Sequence, residues 1–146
     1  MVYREIPPVK LYFPPEDIKQ INADVEKILK SGMLTLGEYT RRFEDEWAKM
    51  VGIKHAVAVN SGTASLEMAL RSIGIKEGDE VLVPTNTFTA TAATVFFAGG
   101  RPVLTDMSPE TLCLDSENVQ KYGTQRTKAV IAVHIGGLVC PDIKPR

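Results

Sequence analysis

The sequence predicts an α/β fold, a mostly parallel sheet with flanking helices. Two observations carry that prediction. After Gly52, short β-rich apolar runs alternate four times with helix-patterned segments. The runs "HAVAVN", "DEVLVPT", "RPVLTD" and "KAVIAVHI" read as strands buried on both faces, as in a parallel sheet covered by helices. At 146 residues, 44% hydrophobic and 24% charged, the chain can bury a sizeable core.

Residues 1–50 read as an N-terminal arm and two helices, and residues 51–146 as the α/β part. In "PPEDIKQINADVEKILKSG", Pro15 suits a first turn, and Glu16 and Asp17 suit the positive end of the helix dipole. Ile18, Ile21, Val25 and Ile28 share one face, and Gly32 is the stop. In "GEYTRRFEDEWAKMVG", Tyr39, Phe43, Trp47 and Val51 recur at helical spacing before Gly52. "TASLEMALRSIG" and "TFTATAATVFFAGG" read as helices stopped by glycine. "DSENVQKYG" reads as a short helix that Asp115 can cap. "GGLVCPD" reads as a loop.

Charge and composition narrow the function classes. The net charge is −1, with 17 basic and 18 acidic residues and no run of one sign. Neither nucleic acid nor an anionic membrane is an expected partner. Cys113 and Cys140 are far apart in sequence and form no CxxC pair. That argues against a disulfide scaffold and a zinc site, and fits a reducing, cytoplasmic location. "MVYREIPPVKLYFPP" holds no apolar core of signal-peptide length, and no stretch is long enough to span a bilayer.

Ligands of such folds sit at the carboxyl ends of the strands. Three segments there look chemical: "NSGTA", "PTNTFTAT" and "HIGG". In the first, Ser61 or Thr63 can cap the following helix, with Gly62 allowing a tight turn. The small residues Gly62, Thr63 and Ala64 also leave amides open to a phosphate at the helix N-terminus. The two readings are compatible, because a bound anion itself caps a helix. No lysine follows the glycine, and GxGxxG is absent, so a P-loop kinase and a dinucleotide dehydrogenase are disfavoured. Phe88 stands among Thr85, Asn86, Thr87 and Thr89; it reads either as core or as a platform for a flat ring with polar edges. His134 reads either as a satisfied strand-end histidine or as a polar wall of the same cleft. Asp106 and His55 read as structural.

The stretch "HAVAVNSGTASLEMALRSIGIKEGDEVLVPTNTFTATAATVFFAGGRPVLTDMSPETLCLD" strongly resembles the DegT/DnrJ/StrS family of sugar aminotransferases, as do "SGMLTLGEYTRRFEDEWAKMVG" and "TKAVIAVHIGG". The resemblance runs from about Pro14 onward. It implies a fold-type I transferase of the aspartate aminotransferase superfamily that depends on pyridoxal 5'-phosphate (PLP). Residues 51–146 would then be an incomplete PLP-binding large domain. By the same resemblance, Gly62, Thr63 and Ala64 bind the cofactor phosphate, and Phe88 stacks on the pyridine ring. Thr35 to Gly37 lie near the substrate entrance, so Thr35, Gly37 and His134 are substrate-side candidates.

Family members are much longer than this chain. Their Schiff-base lysine and the aspartate facing the pyridine nitrogen would lie beyond Arg146, and Lys144 is not in the lysine's context. No residue of the chain is thus assigned a catalytic role, and the chain alone is expected to be inactive. The expected substrates of the full enzyme are a keto-sugar nucleotide and an amino donor, usually glutamate. By the same resemblance, "HAVAVN" belongs at the far edge of the sheet, parted from the other strands by later ones, so in this chain it is expected to lose its neighbours; the outcomes are a rearranged sheet, strand exchange between chains or association with another copy. The expected assembly of the family is a dimer, with the Ile18–Ile28 face as a contact. The alternative is a non-catalytic α/β binding or assembly module that keeps at most the phosphate site.

Overall fold

The computed structural model describes residues 9–141 and residue 143; Lys144, weighed above, lies outside them. The chain divides into two compact units, Met1–Ala58 and Val59–Arg146.

The first unit holds α1 (Pro15–Ser31) and α2 (Glu38–Val51). Both end on a left-handed glycine, Gly32 and Gly52. Pro15 opens α1, with Glu16 and Asp17 in its first turn. Polar side chains link the two helices. Lys27 Nζ pairs with Glu38 Oε2 at 2.8 Å, and the Tyr39 hydroxyl donates to Asp24 Oδ1 at 2.8 Å. Ile18, Ile21 and Val25, on the predicted apolar face of α1, remain about half exposed.

The second unit holds α3 (Gly62–Ser72), β1 (Glu80–Pro84), α4 (Thr89–Phe97), β2 (Arg101–Thr105), α5 (Ser116–Tyr122) and β3 (Thr127–Val130), then one 3-10 turn, Ile135–Gly137. The sheet is parallel in the order β2-β1-β3. Glu80 is in register with Arg101 on one side and Thr127 on the other. β1 is central and buried along its whole length, which explains its unbroken apolar run. Val81 and Val83 join Leu70, Ile75, Val95 and Ala98 in the core. Leu82, also fully buried, projects to the opposite face. A parallel sheet puts all three carboxyl ends on one side. The loops after Pro84, Thr105 and Val130 therefore start from that side.

Three expectations are corrected. Of the runs read as buried on both faces, only β1 is; β2 and β3, the edges of the described sheet, are partly exposed. "HAVAVN" forms no strand among the described residues. A strand exists only through ladder bonds to a neighbour, and none of the described residues supplies one. The Ala58 amide instead donates to Glu44 Oε1 at 2.8 Å. The fourth predicted run is also shorter than expected. β3 ends at Val130, and one further bond, from the Ile131 amide to the Leu82 carbonyl at 3.0 Å, leads the chain off the sheet toward His134.

Candidate functional site

The predicted phosphate turn is the N-terminus of α3. Ser61 is its N-cap, extended at φ −163° and ψ 156°. Its hydroxyl accepts from the Ala64 amide at 3.1 Å, and its carbonyl accepts from the Ser65 amide at 3.1 Å. Ser61, not Thr63, is thus the capping residue. Of the three amides read as open, Ala64's is taken. Those of Gly62 and Thr63 have no acceptor among the described residues. An atom added at the Gly62 Cβ position would meet nothing within 4 Å, so the turn is open beside this glycine. With the helix dipole behind them the two amides can hold an anion.

Phe88 is the N-cap of α4, in extended conformation at φ −68° and ψ 141°. It is 78% exposed, so it is no core residue. Its loop is pinned at both ends. The Thr85 amide donates to the Thr105 carbonyl at 3.1 Å, and the Thr91 amide donates to the Phe88 carbonyl at 2.9 Å. Thr87 and Thr91 share a hydroxyl hydrogen bond of 2.8 Å. The threonines that made this segment conspicuously polar therefore hold the loop that presents the ring. α3 packs on α4, so the phosphate turn and the aromatic loop open two neighbouring helices.

His134 lies beyond β3, at the start of the glycine turn. Gly136 (φ 56°) and Gly137 (φ 86°) both adopt left-handed backbone, which a side chain would disfavour. The turn folds the chain back so that the Cys140 amide donates to His134 Nδ1 at 2.9 Å. With Nδ1 accepting, the neutral ring carries its proton on Nε2, which is left to donate elsewhere. The sequence held no local sign of this bond.

Asp106 takes the structural role expected of it. Its carboxylate accepts from the Tyr122 hydroxyl and, at 3.3 Å, from Lys121 Nζ. The Tyr122 bond, then Lys121, holds its pKa below the ordinary aspartate value.

Thr35 and Gly37 belong to the first unit. Thr35 is exposed in a bend. Gly37 caps α2 and lines a cleft of about 220 Å³ with Met33, Leu34 and Tyr39. A larger cleft, about 820 Å³, runs along α5 and β3, lined by Val119, Gln120, Thr127 and Ala129 among others. None of the predicted site residues lines it. Among the described residues, no cluster of three or more histidine, cysteine or acidic side chains is placed to hold a metal, and no helix is long and apolar enough to cross a membrane.

Comparison with known proteins agrees with the fold and with the family resemblance. The model of the DegT/DnrJ/EryC1/StrS aminotransferase family matches residues 15–145. The spore coat polysaccharide biosynthesis protein SpsC of Bacillus subtilis (strain 168) is 46% identical over 117 residues, covering 80% of this chain and 30% of that protein. GDP-perosamine synthase of Caulobacter vibrioides is 36% identical over 141 residues, covering 97% of this chain and 38% of that protein. The crystal structure of ntda from Bacillus subtilis with bound cofactor PMP superposes with a TM-score of 0.80 at 30% identity, over 90% of this chain and 32% of that one. The chain thus spans about a third of the length of the relatives it matches.

Proposed function

Because the chain belongs to the DegT/DnrJ/EryC1/StrS aminotransferase family, we propose that it is the cofactor-phosphate-binding part of a PLP-dependent aminotransferase that acts on a nucleotide-linked keto sugar. The observation that carries this reading is the pair of free amides, Gly62 and Thr63, at the start of α3. The nucleotide-sugar class is suggested by relatives such as GDP-perosamine synthase. Glutamate as amino donor rests on the family resemblance.

The residues fit the cofactor. The Gly62 and Thr63 amides and the Thr63 hydroxyl would bind the phosphate, with the α3 dipole adding to the attraction. Ser61 holds Ala64 and keeps that first turn in place. The exposed Phe88 ring would cover one face of the pyridine and exclude water from it. When bound, PLP supplies the electron sink that amino transfer requires. His134, donating through Nε2, would hold an oxygen of the substrate. Thr35 and Gly37 would contribute on the substrate side.

Equilibrium titration of the chain with PLP, followed by absorbance, tests the reading. Saturable binding is expected. Thr63→Val and Phe88→Ala should each weaken it by about tenfold, equivalent to roughly 1.4 kcal/mol. Pyridoxal, which lacks the phosphate, should bind more weakly and respond little to Thr63→Val. Saturable PLP binding that neither variant weakens would place the cofactor elsewhere. No saturable binding would favour an α/β module with no cofactor of its own.

A further inference from the structure

Cys113 and Cys140 are distant in sequence, but the fold sets them against each other. Cys113 lies in the loop between β2 and α5 and is 1% exposed; Cys140 follows the glycine turn and is 8% exposed. Each thiol reaches a backbone carbonyl within two residues of the other cysteine. Cys113 Sγ donates to the Leu138 carbonyl at 3.7 Å, and Cys140 Sγ donates to the Leu114 carbonyl at 3.1 Å. These two bonds bring the segments that carry the thiols against each other.

Both segments are held in place from their own side. The Ser108 amide donates to the Cys113 carbonyl at 3.0 Å, and the Cys113 amide donates to Thr111 Oγ1 at 3.3 Å. Leu112, next to Cys113, sits at a left-handed φ of 54°. Across the gap, the Cys140 amide is fixed on His134 Nδ1. Burial, then the neighbouring Cys113, pushes the Cys140 thiol above its ordinary pKa, so Cys140 meets an oxidant slowly at neutral pH.

We infer that Cys113 and Cys140 form a reversible disulfide that ties the loop after β2 to the segment after His134. The oxidant is a hydroperoxide. Its O–O bond breaks as one cysteine sulfur takes the hydroxyl oxygen, giving a sulfenic acid and one water when the oxidant is hydrogen peroxide. The second sulfur then attacks the first, the S–S bond forms, the S–O bond breaks, and a second water leaves. Two thiols have lost two electrons and two protons to the peroxide. Cys140, the more exposed of the two, is the site of first oxidation. Because the Cys140 amide is the partner of His134, closing the bond also disturbs that histidine.

The test uses the full chain, fully reduced and then treated with hydrogen peroxide at low protein concentration. The product is denatured, its free thiols blocked with N-ethylmaleimide, and its intact mass measured. The expected species has lost two hydrogens and takes up no maleimide. A non-reducing digest of it yields a peptide joined through Cys113 and Cys140, and dithiothreitol restores both thiols. The ratio of intramolecular crosslink to higher oxides and interchain crosslinks should be larger in the folded chain than in the same chain in urea. In Cys113→Ser, peroxide should leave Cys140 as a sulfenic acid or a higher oxide, without an intramolecular crosslink. The His134 ring signals in NMR should shift on oxidation of the native chain and not of Cys113→Ala. Two maleimides taken up after oxidation, crosslinks only between chains, or a crosslink-to-oxide ratio no larger in the folded than in the unfolded chain would each overturn the inference.

Discussion

Arg126 donates through Nη2 to Glu80 Oε1 at 2.8 Å, joining the approach to β3 to the first residue of β1. Thr124 Oγ1 donates to the other carboxylate oxygen at 2.6 Å, and Arg101 Nη1 on β2 stands 3.6 Å from Oε1. One carboxylate, 2% exposed, therefore ties all three strands together at their amino ends. The Thr124 hydrogen bond, then the Arg126 charge working against burial, lowers the Glu80 pKa.

The sign of the pH dependence follows. A carboxylate with a lowered folded-state pKa stabilises fully above its unfolded value of about 4.3, and loses that contribution as pH falls through the folded one. Glu80→Gln should lower the Tm at pH 7, and its deficit against the wild type should shrink as the pH is brought below about 4. Thermal unfolding from pH 7 downward checks this. A deficit that is constant with pH would remove the charge from the explanation.

Gly100 is packed where a side chain does not fit. A Cβ there would stand 2.6 Å from Ile75 Cγ2 and 3.3 Å from Val95 Cγ1, both on buried core residues. Gly100→Ala should destabilise by about 1–3 kcal/mol, the usual cost of overpacking. In an Ile75→Ala background the same substitution should cost less, because the clashing methyl is gone. Urea midpoints of the four proteins measure the difference.

Leu82 fills the face of β1 opposite Val81 and Val83 and has no exposed surface. Leu82→Ala should cost about 2–5 kcal/mol, the range for emptying a core leucine site. Leu104→Ala, on a more exposed part of β2, should cost markedly less. Equal losses in denaturant unfolding would contradict the burial pattern.

Ser61 and Asp115 cap α3 and α5, accepting from the Ala64 and Asn118 amides at 3.1 and 2.8 Å. Ser61→Ala and Asp115→Ala should each cost about 1 kcal/mol. PLP should recover part of the loss in Ser61→Ala and none in Asp115→Ala, since an anion at α3 can satisfy the amide that the serine leaves behind. The melting shift with cofactor in each variant separates the two helices.

The features legible in the sequence are those set by neighbouring residues. Gly32 and Gly52 as helix stops, Asp115 as a cap and the buried run of β1 all follow from local chemistry and spacing. The turn at Ser61 and Gly62 was legible for the same reason, although which hydroxyl does the capping was not. What failed depends on distant partners. "HAVAVN" has strand composition, but a ladder needs a neighbour that its own residues cannot supply. The bond from Cys140 to His134 and the approach of Cys113 to Cys140 exist only once the glycine turn has folded the chain back.

The central place of β1 also sets a timetable. Its pairing with β2 spans only α4, whereas its pairing with β3 must wait for β2 and α5 as well. Closing the shorter loop costs less chain entropy, so β1, α4 and β2 can assemble as a nucleus while β3 is still unmade. On the ribosome the sheet would grow outward from its middle, and Glu80 would wait, paired on one side only, until Arg126 emerges.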